Sequence, residues 1–157
     1  MTNEYADPIF LTGEAYWAKI FEPNMINPEK PEYTIDVCNL DSDNMKIAEE
    51  AGLSIKNVSN EKPDDKRGNF VTLKQFTTTF KGDPRTIRVV DAKRNPFPSN
   101  TLIGNGSQVC AKAFPKAWTF GGKEGVKGYL DSLQVRQLVE YASSGPDFDV
   151  VPDGYTN

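Results

Sequence analysis

The chain contains no histidine. That absence removes Ser-His-Asp and Cys-His nucleophilic systems and every histidine-based metal triad. Cysteine is nearly missing as well: Cys38 and Cys110 are the only two among 157 residues. Each falls in a predicted strand, so both are expected as buried free thiols. A disulfide is not expected in a reducing compartment, and two sulfurs cannot make up a zinc site. No apolar run approaches the roughly 20 residues that a membrane helix needs, and no signal-peptide core follows Met1. A cytosolic chain with no membrane partner is therefore expected. Carboxylate-only catalysis survives these exclusions, but no acidic pair stands apart from the charged background. The expectation is a protein that is not an enzyme, with no catalytic residue, metal or cofactor.

What is present suits one soluble domain: 38% hydrophobic and 25% charged residues in 17.5 kDa. The net charge of −4 conceals a segregation. Residues 1–55 hold three Lys/Arg against eleven Asp/Glu, residues 56–136 hold fifteen against seven, and residues 137–157 hold four acids and no base. A middle of +8 between ends of −8 and −4 reads as a surface for an anionic ligand, opposed by the chain's own acidic segments.

Alternation of apolar and polar residues marks the strands. Residues 1–12 read as an arm or lead-in. Gly13 to Phe21 alternates with Tyr16, Ala18 and Ile20 on one side and Trp17, Lys19 and Phe21 on the other. Prolines 23, 28 and 31 punctuate the next loop, and Tyr33–Cys38 is a second strand. Asp41-Ser42-Asp43-Asn44 offers an N-cap to a short helix from Met45 to Ala51, which Gly52 ends. Leu53–Lys56 is a candidate short strand. Phe70 to Phe80 reads as a long third strand, with Lys74 and Phe76 on one face. Thr86–Val90 forms another, ended by Asp91 and a Lys-Arg-Asn-Pro turn, and Pro96 and Pro98 exclude regular structure after it.

Gly104-Asn105-Gly106-Ser107 invites a phosphate-loop reading, but such loops open a helix. Here the glycines precede a strand, in which Val109, Ala111 and Ala113 alternate with Gln108, Cys110 and Lys112. A tight turn or bulge that uses positive φ is the reading adopted. A final strand spans Gly128 to Tyr141. The pattern predicts a mainly β fold: a five-stranded Greek-key barrel of the oligonucleotide-binding (OB) type over 1–141, with one short helix. Residues 142–157 would be a flexible, short acidic C-terminal tail. A β-sandwich is the alternative.

Several stretches in order resemble the single-stranded-DNA-binding proteins of tailed bacteriophages that replicate with their own polymerase. These are Glu14-Ala15-Tyr16 leading to Glu22-Pro23, Tyr33-Thr34-Ile35-Asp36, Val89-Val90-Asp91, and Ile103 to Ser107. Lys116-Ala117-Trp118 and Leu133 to Glu140 follow. The resemblance implies an OB fold and binding of single strands without sequence preference in phage DNA replication and recombination, in the cytoplasm of an infected host cell. It also implies a homodimer, and an acidic tail that recruits DNA polymerase and helicase-primase. The chain departs at the tail: Asp147, Asp149 and Asp153 are the only acids after Tyr141, with Phe148 and Tyr155 as its large aromatics.

For such a protein, lysine and arginine neutralise phosphates while aromatic rings stack on bases. The candidates are Trp17 and Lys19, Lys74 and Phe76, Arg88, Lys112, Phe114, Lys116 and Trp118. Trp118 is read in a loop among lysines, with a tryptophan folded onto the core as its alternative. An RNA-binding or cold-shock-like OB protein and a non-enzymatic β-barrel structural protein remain the other functional classes.

Overall fold

The computed structural model describes residues 7–25, 28–98 and 101–139. Six strands and one helix follow in order: β1 Ile9–Asn24, β2 Glu32–Cys38, α1 Ser42–Glu50, β3 Val71–Phe76, β4 Arg88–Val90, β5 Ser107–Phe120 and β6 Lys123–Gln137. The sheet order is β3-β2-β1-β5-β6-β4, with a further pairing of β3 to β6. That last pairing closes β1, β2, β3, β6 and β5 into a ring, and β4 adds to the free edge of β6 in parallel. The fold is mainly β and OB-like, with one helix, as the alternation of the sequence implies.

Inward-facing residues of every ring strand fill the core. Leu11 and Ala15 of β1, Ile35 and Val37 of β2, Val71 and Leu73 of β3, Val109 to Ala113 in alternation on β5, and Leu130 and Leu133 of β6 are all buried. The ring closes in parallel at Lys74 and Tyr129. One residue earlier, a Cβ on Gly128 would stand 2.6 Å from Leu73 Cδ2, so glycine leaves that space to the Leu73 side chain where β6 passes β3. Helix α1 begins where Asp41 Oδ1 accepts the Asn44 N–H at 2.9 Å. It therefore starts a turn before the Met45 expected from sequence. Asn44 in turn accepts the Thr12 N–H and ties the helix to β1.

Several sequence expectations are corrected. The first strand begins at Ile9 rather than Gly13, because Ile9–Ala15 pairs along Ala113–Ser107 of β5. Its alternation breaks at Trp17: Leu11, Gly13 and Ala15 point inward, but so does Ile20. The third strand ends at Phe76, not Phe80. Beyond it the chain turns back through a Thr78–Pro84 bridge, with Thr79 accepting the Gly82 N–H and Phe80 fully exposed at the tip. Leu53–Lys56 forms only a single bridge, Lys56 to Phe70. Cys110 is partly exposed, because it lies on the outer face of β5; Cys38 is buried as expected. Residues 107–137 form one long hairpin, so Trp118 stands on a strand and not in a loop. The last strand runs from Lys123 to Gln137 rather than from Gly128 to Tyr141: it pairs with β5 from the hairpin turn onward, and Leu138 and Val139 lie beyond it. The tail expected at 142–157 lies outside the described residues. No helix among the described residues is long and apolar enough to cross a membrane.

The loop between α1 and β3 is pinned by one guanidinium. Arg67 pairs with Asp65 at 2.8 Å and with Asp36 of β2 at 2.9 Å, and stacks 4.2 Å above the Phe70 ring. Thr72 completes the cluster by donating to Asp36 at 2.7 Å. Hydrogen bonds from Arg67 hold the Asp65 carboxyl at about 2, below its ordinary 3.8. A depressed carboxyl stabilises the fold fully above its unfolded value and loses that contribution as pH falls through the folded one. Arg67→Ala should therefore lower the melting temperature most at neutral pH, and its gap from the unsubstituted protein should narrow from about pH 4 to pH 2. A gap independent of pH would assign the effect to the Phe70 contact instead.

Candidate nucleic-acid interface

Strand register sets one row of side chains across the outer wall. Lys19 of β1 pairs with Thr34 of β2, Thr34 with Lys74 of β3, Lys74 with Tyr129 of β6, and Tyr129 with Phe114 of β5. Paired residues on neighbouring strands project to the same face. Two cations, a hydroxyl and two rings thus lie in line over five strands. Phe76 joins them from one rung along β3, its ring centroid 5.9 Å from that of Tyr129.

Two recesses open along this row. The first, about 340 Å³, is lined by Trp17, Lys19, Lys30, Thr34, Asp36 and Lys74, among others. The second, about 930 Å³, lies between the β1–β2 loop, the turn after β3 and the β5–β6 hairpin. Lys30, Phe76, Phe80, Arg85, Phe114, Lys116 and Tyr129 line it. Lys30 borders both. Arg85 is held in place by Gln75, which accepts from its guanidinium. Two acids, Glu32 and Asp36, also line the first recess, and Asp36 is engaged by Arg67 and Thr72.

Of the nine residues singled out from sequence, Trp17, Lys19 and Lys74 line the first recess and Phe76, Phe114 and Lys116 the second. Lys112 adjoins them, its ammonium 5.6 Å from the Phe114 centroid and 3.9 Å from Asp131. Arg88 stands apart on β4, where it pairs with Ser132 beside Lys112. Trp118 lies further along the hairpin, opposite Gly125. Its ring occupies the space a side chain there would fill, since a Cβ on Gly125 would fall 2.7 Å from Trp118 Cζ2.

The sequence reading missed Lys30, Phe80, Arg85 and Tyr129. Tyr129 and Arg85 carried a usable signal, an aromatic and a cation in or beside predicted strands; Lys30 and Phe80 depended on how loops fold back.

A five-strand ring with a helix after its second strand, a groove across strands 1–3 and a long final hairpin can be compared with solved structures. No family model matches the chain, and no curated protein matches it in sequence. Among solved structures, gp2.5, a single-stranded DNA binding protein encoded by bacteriophage T7, superposes with a TM-score of 0.58. It is 20% identical, over 96% of this chain and 98% of that one. The single-stranded DNA-binding protein of bacteriophage Enc34 in complex with ssDNA superposes at 0.64, with 15% identity over 87% and 89% of the two chains. The chain has the fold of phage single-stranded-DNA-binding proteins.

Within this fold Trp118 is a hairpin residue with 38% of its surface exposed, not a core one. Trp118→Ala should cost well under about 1 kcal/mol of stability, against the roughly 3–5 kcal/mol that truncating a core aromatic costs. Thermal and urea unfolding measure the difference.

Proposed function

We propose that the chain is a sequence-independent single-stranded-DNA-binding protein of phage DNA replication and recombination that coats and protects single strands. The observation that carries the proposal is one register-defined row in which the cations Lys19 and Lys74 lead to the rings Tyr129 and Phe114, bordering a recess of about 930 Å³. Two phage proteins that share the fold are named as single-stranded DNA-binding proteins, and one of them was solved in complex with ssDNA.

No bond is made or broken in this reading. Lys19, Lys30, Lys74 and Lys116 neutralise phosphates and release counterions, while Trp17, Phe76, Phe114 and Tyr129 stack on bases. Stacking contributes roughly 1–3 kcal/mol per base and ignores base identity, because every base has a π-face. Duplex DNA keeps its bases stacked on each other and offers only the phosphate term. Single-strand preference follows. Lys112, Arg88 and Trp118 extend the path along the hairpin and onto β4. Residues 142–157 supply the contact with DNA polymerase and helicase-primase, and the working unit is a homodimer.

Titration of fluorescent oligo-dT, duplex DNA and oligo-RNA at several salt concentrations tests the reading. The DNA single strand should bind tightest, with the logarithm of affinity falling against the logarithm of salt by about 0.7 per phosphate neutralised. Lys74→Ala should flatten that slope by about 0.7 and cost little at high salt. Phe76→Ala should cost roughly 1–3 kcal/mol at every salt and leave the slope unchanged. Equal affinity for duplex and single strand rules the proposal out, and tighter binding of RNA redirects it to that polymer.

A further inference from the structure

Among the described residues Trp17 is the one ring that lines the first recess, and its backbone is unusual. It adopts φ of 54°, a left-handed conformation that costs a residue with a large side chain energy. The strand pairing shows why. Tyr16 pairs with Asp36 and Lys19 with Thr34, so three steps along β1 meet two along β2. This is a β-bulge. Upstream of it, odd-numbered residues face the core, and continued alternation would send residue 17 inward after Ala15. The bulge reverses the parity. Trp17 instead turns outward with 57% of its surface exposed, over Lys19 and Lys74.

A strained conformer persists only where its surroundings over-determine it. Here the surroundings are the turn Gly104-Asn105-Gly106 that precedes β5. Pairing of β1 with β5 ends at Ala15 and Ser107, and the turn caps that end. The Gly106 N–H donates to the Ala15 carbonyl at 2.8 Å. The Trp17 N–H, left without a strand partner there, donates to Asn105 Oδ1 at 2.9 Å. Only the amide oxygen can accept an N–H, so the orientation of the Asn105 side chain is set. The turn is itself fixed from below by Ser107, fully buried, which donates to the Gly104 carbonyl and accepts the Val139 N–H.

We propose that Asn105 is a positioning residue for single-stranded DNA: its side-chain oxygen holds the Trp17 bulge in its left-handed conformation and so presents the indole to the recess. The proposal rests on the reading of Trp17 as a base-stacking residue. It gives the glycine-flanked turn a role without any phosphate contact of its own. Gly106, at φ 94°, occupies the left-handed conformation of the turn, which Asn105 does not have to adopt.

The test compares Asn105→Ala, Asn105→Asp and Trp17→Ala, all carrying Trp118→Phe so that position 17 holds the single indole wherever it is retained. Trp17→Ala should weaken oligo-dT binding by roughly five- to 150-fold, the loss of one stacked base. Asn105→Ala should lose roughly five- to thirtyfold, the ordering cost of one residue's backbone, with no change in salt slope because no cation is removed. Its near-ultraviolet dichroism should change in the absence of DNA, because the Trp17 ring would leave its edge contact with Tyr16, 6.4 Å away. Asn105→Asp keeps the acceptor oxygen and should restore both affinity and spectrum, compared at salt high enough to screen its added charge. Normal binding by Trp17→Ala would refute the stacking role on which the proposal stands. Lost binding by Trp17→Ala with normal binding by Asn105→Ala would refute the positioning role alone. Hydrogen exchange on the unsubstituted protein decides the matter should Asn105→Ala fail to fold. The Trp17 amide must be protected despite its exposed side chain, and exchange at the free-peptide rate overturns the proposal.

Discussion

Everything at the candidate interface depends on one close approach, that of β6 to β3. A sheet of five strands left open would present two edges of unpaired N–H and C=O groups, and closure removes them. The contact is narrow: a parallel bridge between Lys74 and Tyr129, made possible because Gly128 carries no side chain to meet Leu73. The same contact brings Phe76 beside Tyr129 and turns the outer faces of β3, β5 and β6 toward one groove. Core closure and surface site are thus two faces of one packing event. A side chain at Gly128 would have to displace the Leu73 side chain in the core beneath this contact.

The second organising device is the change of parity along β1. That strand pairs with β5 through its first half and with β2 along most of its length, and a single unbroken alternation cannot serve both the core and the outer row. One extra residue at Trp17 resolves the conflict, and the turn before β5 carries the cost of the strained backbone. Electrostatics are arranged with similar economy. Asp36 faces the basic recess, yet Arg67 and Thr72 engage it from the side, so its charge is compensated by neighbours rather than opposed to a phosphate.

Much of this was legible before any coordinates. Charge segregation marked the basic middle, and alternation on Tyr33–Cys38, Val71–Leu73 and Val109–Ala113 marked strands whose inward residues are indeed the core. Asp41-Ser42-Asp43-Asn44 marked the start of the helix by the chemistry of capping. Two of the errors share one cause. Thr77–Phe80 carries the residue types of a strand but turns back on itself, and Trp118, flanked by proline and glycines, carries the signature of a loop but pairs in a hairpin. Propensity describes a residue's local preference, whereas pairing depends on which strand stands beside it.

By itself the sequence determined that this is a β-rich domain without histidine chemistry, with alternating sides marked along its strands and with cations concentrated in its middle. Those properties follow from local composition and period, which need no partner to be read. Only the tertiary structure decided which outward residues meet. Lys19, Lys74, Tyr129 and Phe114 are separated by up to 110 positions yet stand in one row, because register is fixed between strands and not within them. Lys112 and Arg88, of the same residue types and in strands of the same kind, fall to the neighbouring wall for the same reason.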